Sequence, residues 1–235
     1  MSEEMISRRF QLSSFQIIIL GFAGVILLGA LLLMLPIATQ EGCTTPFNEA
    51  LFTATSAVCV TGLVIHDTGS YWSAFGQTII LTLIQIGGLG VVTVAASFAL
   101  LSRRRISLMQ RTTLQDAISA PNVGGIVRLT KFILWGTFLI ELIGALAMLP
   151  VFCRDYGWHG IWMAVFHSIS AFCNAGFDIL GTANNLYPSL TGYEQNPIMN
   201  ITIMLLIIIG GIGFLTWEVF VKTSCSSNAT ECKVK

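Results

Sequence analysis

Charged side chains are scarce in this chain of 235 residues. Only 10% of the residues are Asp, Glu, Lys or Arg, and the 12 acidic and 12 basic residues cancel. Soluble domains average roughly 25% charged residues, so a surface that faces water on all sides is not expected. Zero net charge also argues against nucleic-acid binding, which needs a basic surface. With 54% hydrophobic residues, the composition predicts an integral membrane protein whose main partner is the lipid bilayer.

Motifs of catalysis and metal binding are missing as well. The sequence has neither HExxH nor GxSxG, and it has no phosphate-binding motif. Its six cysteines form no CxxC or Cys/His spacing typical of a metal site. We therefore predict that the chain is not an enzyme and holds no cofactor or resident metal.

Long uncharged runs mark the predicted membrane spans. We expect spanning helices at residues 15–35, 75–101, 127–150 and 197–222, each long enough to cross roughly 30 Å of hydrocarbon. A signal peptide is the alternative for the first run. Its apolar stretch, however, continues to Ile37 without a small-residue cleavage site.

Basic residues predict the orientation of these spans. They gather before the first span, in the loop between the second and third spans, and at the end of the fourth. The positive-inside rule therefore assigns the N-terminus (1–14), the basic loop (102–126) and the polar tail (223–235) to the cytoplasm. We predict a multi-pass protein of the cytoplasmic membrane with both termini inside.

Two shorter apolar segments lie in the loops that face outward. Residues 47–58 and 160–171 are too short to span, because a dozen helical residues measure only about 18 Å. A helix on the outer surface is the alternative, but it needs a polar face that these segments lack. Re-entrant pore helices are favoured.

An internal repeat relates the two halves of the chain. Shifted by 114 residues, Met34, Leu35 and Pro36 fall on Met148, Leu149 and Pro150, and Cys59 and Gly62 fall on Cys173 and Gly176. After a nine-residue insertion, the IGGLG segment at 86–90 falls on IGGIG at 209–213. We predict an all-α membrane fold of two parallel repeats, 15–101 and 127–222. Each contains a helix, a re-entrant pore helix, a filter loop and a second helix.

The loops that follow the two pore helices carry the predicted chemistry. At 58–63 and 172–177 the chain must return outward in a non-helical form, which is tolerated at membrane depth only inside protein or beside a water-filled cavity. Extended backbone presents carbonyl oxygens that can replace the hydration shell of a monovalent cation. The carboxyl ends of the pore helices add partial negative charge. This arrangement is typical of an ion pathway.

The two loops resemble the selectivity filters of the Trk/Ktr/HKT potassium transporter superfamily. The matching segments are TSAVCVTGL at 55–63 and SAFCNAGF at 170–177, and the chain is most similar to the membrane subunit of bacterial Ktr systems. The resemblance implies potassium uptake, with K⁺ as the transported ion and sodium dependence left open. It implies that Gly62 and Gly176 are filter glycines and that the backbone of neighbouring residues binds the ion: Val58, Cys59, Val60, Thr61, Phe172, Cys173, Asn174 and Ala175.

The chain departs from this family in its number of repeats. Members carry four repeats around one pore, so two repeats supply half of a pseudo-fourfold ring. We expect either a homodimer or assembly with other pore subunits, and a truncated or non-conducting half that serves only in assembly is the alternative. The resemblance also implies a cytosolic regulatory subunit that binds nucleotides, with the loop at 102–126 as a candidate part of its docking surface. The basic residues Arg103, Arg104 and Arg105 in this loop are mainly an anchor of the topology.

Three acidic residues have two interpretations each. Glu141 lies in the middle of the third span, where a charge costs at least about 2.5 kcal/mol. It is either a cation-pathway residue or a structural residue with a polar partner in hydrogen-bond reach. Asp67 and Asp178 follow the filter loops, where they either attract cations to the pore mouth or are simply solvated.

Overall fold

The computed structural model describes residues 14–90 and 126–213, together with residue 216. Within these ranges the backbone forms α-helices and two 3-10 helices, Pro36–Ala38 and Thr191–Tyr193, and no β-strand. The predicted all-helical class is confirmed for this part of the chain. The α-helices are α1 (Ser14–Leu33), α2 (Phe47–Val58), α3 (Ala74–Leu89), α4 (Ile126–Tyr156), α5 (His159–Phe172) and α6 (Pro197–Ile212).

Helices α1 and α4 are long and apolar enough to cross a membrane. Only 17% and 33% of the residues in their apolar stretches are buried inside the protein. Most of their large apolar side chains therefore face outward, including Leu20, Leu28, Trp135, Phe138, Leu142 and Leu146. An outward apolar surface of this length suits contact with lipid.

Helices α3 and α6 are shorter than the spans that we predict at 75–101 and 197–222. The backbone leaves the helical conformation at Gly90, with φ 81° and ψ 135°, and at Gly213, with φ 86° and ψ 146°. Glycine reaches these angles without the steric cost that a side chain would add. The prediction of an unbroken helix through either position is therefore wrong. The remainder of the predicted span at 75–101, residues 91–101, lies outside the described residues, as does most of 214–222.

Helix α4 is longer than the predicted span at 127–150. That prediction followed the uncharged apolar run and ended at Pro150, and a proline usually interrupts a helix because it removes a backbone hydrogen bond. In the structure the helix passes through Pro150 and continues to Tyr156. The additional turn is stabilised by packing: Phe152 is fully buried, and its ring lies 5.1 Å from that of His167 on α5.

Glycines let the second helix of each predicted repeat approach the end of the short helix before it. A Cβ atom at Gly87 of α3 would overlap the carbonyl oxygen of Val58, and one at Gly210 of α6 would overlap that of Phe172. These glycines therefore pack helix against backbone, as small residues in membrane helices commonly do. The carboxyl ends of α2 and α5 are held in the protein interior by this packing.

Helix α3 begins beside the segment that follows α1. The Ser73 hydroxyl accepts a hydrogen bond from the backbone N–H of Gly76 at 3.3 Å, which caps the helix. Gly76 also lies directly against the carbonyl oxygen of Ala38, so that there is no room for a Cβ atom. This close approach joins the 3-10 helix to α3.

We expect Gly76→Ala to destabilise the protein, because the added methyl group would overlap backbone that cannot rotate away. Overpacking of this kind costs about 1–3 kcal/mol. Gly24→Ala in α1 is the matched control, since nothing lies within 4 Å of its Cβ position. Thermal unfolding in detergent measures both variants. Equal unfolding midpoints for the two would contradict the packing assigned to Gly76.

Candidate functional site

The segments after α2 and α5 adopt the same sequence of backbone conformations. Each helix is followed by a cysteine with helical angles, then by a non-glycine residue at positive φ: Val60 at 57° and Asn174 at 58°. Two residues later come Gly62 at 71° and Gly176 at 72°. A branched side chain at positive φ is strained, so Val60 is held there by its surroundings.

Backbone hydrogen bonds to the last helical turn stabilise both segments. The N–H of Thr61 donates to the carbonyl oxygen of Ser56 at 3.0 Å, and the N–H of Ala175 donates to that of Ser170 at 2.8 Å. The serine hydroxyls add a second bond in each case. Ser56 bonds to the Thr61 hydroxyl at 2.9 Å, and Ser170 donates to the carbonyl oxygen of Phe177 at 2.7 Å.

The carbonyl oxygens of these segments have no such partners. Within residues 14–90 and 126–213, no donor bonds to the carbonyl oxygens of residues 59–62 or 173–176. They are free to accept a hydrogen bond or to coordinate a cation.

The two segments meet at their glycines. A Cβ atom at Gly62 would lie 2.5 Å from the carbonyl oxygen of Ala175 and 3.4 Å from the Cα atom of Gly176. Glycine is therefore required at Gly62 both by its backbone angles and by this contact. Cys59, Thr61, Asn174 and Gly176 are exposed on the described surface, so one side of the paired segments is open.

Glu141 is buried and has the polar partner that we predicted. The Gln85 amide on α3 donates to both of its carboxylate oxygens, at 2.9 and 3.2 Å. Gln85 is also 4.0 Å from the sulfur of Cys173, which can donate to its amide oxygen. Glu141 is thus linked through Gln85 to the segment after α5.

Asp67 is not solvated, so that interpretation is wrong, and its attraction of cations to the pore mouth stays a prediction. It is 4% exposed, and its carboxylate accepts three hydrogen bonds. Two come from Ser70 and one from the backbone N–H of Tyr187. Asp178 is half-buried and does line an opening beside the second segment, a cavity of about 250 Å³ shared with Asn174, Gly176 and His167.

Sequence reasoning missed Gln85 and Tyr187 as partners of these acids. Gln85 could have been found from the sequence. It is a polar amide in an apolar helix, and it lies three residues before Gly88, so both residues are on the same face of the helix. Tyr187 lies in a polar loop and carried none. Among the described residues, no group of three His, Cys, Asp or Glu side chains is suited to hold a metal ion.

Known proteins resemble this chain over most of its length. The model of the TrkH family, described as cation transport proteins, matches residues 4–230. The potassium/sodium uptake protein NtpJ of Enterococcus hirae is 42% identical over 211 residues, which cover 89% of this chain and 46% of the relative. The Ktr system potassium uptake protein B of Bacillus subtilis is 43% identical over 201 residues, 85% of this chain and 43% of the relative.

The corresponding protein B of Vibrio alginolyticus is 37% identical over 85% of the chain and 42% of the relative. The chain therefore spans less than half the length of each of these relatives. Their names agree with the resemblance that the two loop motifs carry. The family model and the relatives together establish that this chain belongs to the TrkH family of cation transport proteins.

Proposed function

We propose that this chain contributes to potassium uptake across the cytoplasmic membrane by forming part of a carbonyl-lined selectivity filter. The observation that carries the proposal is the pair of carbonyl runs at residues 59–62 and 173–176, which meet at Gly62 and Gly176 and to which no donor in the described part of the chain bonds. Carbonyl oxygens replace the hydration shell of K⁺ in known filters. The relatives are named for uptake of potassium, and one of them for potassium and sodium.

Helices α2 and α5 support the same role. They end at Val58 and Phe172, directly before the two carbonyl runs. The carboxyl end of a helix carries a partial negative charge of about half an elementary charge. Two such ends beside one pathway stabilise a cation there without any charged side chain.

The open side of the filter requires a partner. Unpaired carbonyls exposed to hydrocarbon cost several kcal/mol each, so lipid is not a suitable neighbour for Thr61, Asn174 and Gly176. A second copy of the chain, or the other repeats of a four-repeat pore subunit, completes the ring. The equal φ angles of Val60 and Asn174, and of Gly62 and Gly176, support two equivalent repeats.

Orientation and regulation follow from the basic residues. Both termini and the loop at 102–126 lie in the cytoplasm under this proposal, and the loop is available to a nucleotide-binding regulatory subunit. These segments lie outside the described residues. A second candidate function is a half-length subunit that assembles with others and conducts nothing alone, which the open filter side favours.

Expression in cells that lack their own potassium uptake systems separates the two functions. If the chain conducts, it restores growth at low potassium. Absence of growth despite normal amounts of protein in the membrane supports the assembly role.

Gly62→Ser tests the filter itself. The new side chain strains the backbone and meets the carbonyl oxygen of Ala175, so we expect the ratio of potassium to sodium uptake to fall about tenfold. Gly42→Ser is a matched control, because Gly42 has the same φ of 71° but nothing within 4 Å. An unchanged ratio in Gly62→Ser would contradict the filter assignment.

Glu141 acts as a structural residue rather than as a pathway residue in this proposal, because Gln85 occupies both of its carboxylate oxygens. Glu141→Gln keeps an acceptor for Gln85, and we expect uptake to change less than about twofold. Glu141→Leu leaves the Gln85 amide unpaired and costs about 1–3 kcal/mol of stability. Loss of uptake in a well-folded Glu141→Gln protein would restore the pathway role.

Asp178 is the more exposed of the two candidates for an acid at the pore mouth. Burial raises the pKa of its carboxyl group above the ordinary value. The Leu180 N–H opposes this, and the Asp67 carboxylate adds to it. The folded protein therefore holds this proton more tightly than the unfolded chain does. The contribution of Asp178 to stability falls as the pH rises from about 3.9 through the raised pKa.

We accordingly expect Asp178→Asn to be more stable than the unmodified protein at neutral pH and equally stable near pH 4. Thermal unfolding across this range measures the difference. A difference that does not shrink on acidification would show that Asp178 is not the titrating group.

A further inference from the structure

The loops that follow the two filter segments are joined by a buried carboxylate. One oxygen of Asp67 accepts hydrogen bonds from the backbone N–H and the hydroxyl of Ser70, at 2.7 and 2.8 Å. The other oxygen accepts from the backbone N–H of Tyr187, at 2.8 Å. The Ser70 bonds are local. The Tyr187 bond crosses 120 residues of sequence and connects the two loops.

Tyr187 makes a second bond to the first loop. Its hydroxyl donates to the carbonyl oxygen of Ile65 at 2.9 Å, so the residue spans the segment from Ile65 to Asp67. Its backbone has a φ of 55°, a conformation that costs a non-glycine residue about 1–3 kcal/mol. The two bonds to the first loop offset this cost.

Glycines allow the loops to interlock around these bonds. The backbone of Gly181 lies directly against the Asp67 carboxylate, where a side chain would overlap it. A Cβ atom at Gly69 would lie 2.7 Å from the carbonyl oxygen of Ile179 and 2.8 Å from the backbone of Gly181. The two loops therefore have little freedom to slide past each other.

This contact is close to the filter in sequence. Asp67 follows Gly62 by five residues, and Ile179 follows Gly176 by three. On the inner side, each filter segment is already bonded to the last turn of its short helix. Each filter segment is thus held at both ends, and among the described residues only the outer contact ties one segment to the other by hydrogen bonds.

We propose that Asp67 and Tyr187 form an interloop clamp that positions Gly62 against Gly176 and thereby maintains the preference of the filter for K⁺ over Na⁺. This inference rests on the proposed function. Cation preference in a carbonyl filter depends on the number and geometry of the coordinating oxygens. A loop that moves by a fraction of an ångström changes that geometry for both segments. Asp67 and Tyr187 are positioning residues, since neither touches the ion.

Two variants break the clamp and one leaves it intact. Asp67→Asn retains the oxygen that accepts both Ser70 bonds but replaces the oxygen that faces the Tyr187 N–H with an amide donor. Tyr187→Phe removes only the bond to Ile65. Ser70→Ala is the matched control, because it removes a local bond to the same carboxylate and leaves the cross-loop bonds in place.

Ion-dependent stability of the purified chain is the main measurement. An ion that binds only the folded state raises the unfolding midpoint, so the midpoints in potassium, sodium and choline chloride report binding without transport. We expect the potassium concentration for half-maximal stabilisation to rise about tenfold in Asp67→Asn and about threefold in Tyr187→Phe. Sodium stabilisation changes less, and Ser70→Ala behaves as the unmodified protein does.

The outcomes separate failure of the clamp from failure of the proposed function. If the unmodified protein is stabilised equally by potassium, sodium and choline, the filter assignment and the clamp are both overturned. If it prefers potassium and the two clamp variants keep that preference while losing only stability in choline, the clamp alone is overturned. An equal loss of potassium preference in Ser70→Ala also overturns the clamp, because the local turn at Asp67 would then be responsible. If Asp67→Asn does not fold, the potassium preference of Tyr187→Phe decides whether the clamp is correct.

Discussion

Carbonyl oxygens at residues 59–62 and 173–176, to which no donor bonds within the described part of the chain, are the constraint on which the rest of this structure depends. A polypeptide that leaves the helical conformation at membrane depth exposes polar groups that hydrocarbon cannot satisfy. Here two non-helical segments follow α2 and α5, and the protein surrounds them on one side with helices and loops. The outward faces of α1 and α4 are apolar, whereas no donor among the described residues bonds to the carbonyl oxygens of these two segments.

Close approach of backbones is the means by which this arrangement is built. Gly87 and Gly210 bring α3 and α6 against the ends of the two short helices, and Gly62 brings together the two segments that follow these helices. At each of these positions a methyl group would overlap a carbonyl oxygen. The glycines therefore determine how the segments after α2 and α5 are supported, although they supply no charge and no side-chain ligand.

Parts of this arrangement were predictable from residue patterns, and others were not. The apolar runs and the loop motifs predicted helices near their observed positions, because helix formation and membrane insertion depend on residues within a few turns. The uncharged run predicted too early an end for α4, since the helix continues through Pro150 and the packing of Phe152 outweighs the cost of a proline there. Gly90 was predicted inside a helix, and its backbone instead ends one.

Composition and local pattern are sufficient to assign this chain to a membrane class and to a transporter family, because both depend on hydrophobicity and on short motifs. The partners of its buried acids depended on the folded arrangement. Glu141 meets Gln85 across 56 residues, and Asp67 meets Tyr187 across 120. Such bonds require that two distant segments be packed to within about 3 Å of each other. Only the packing of all the helices and loops together determines that distance.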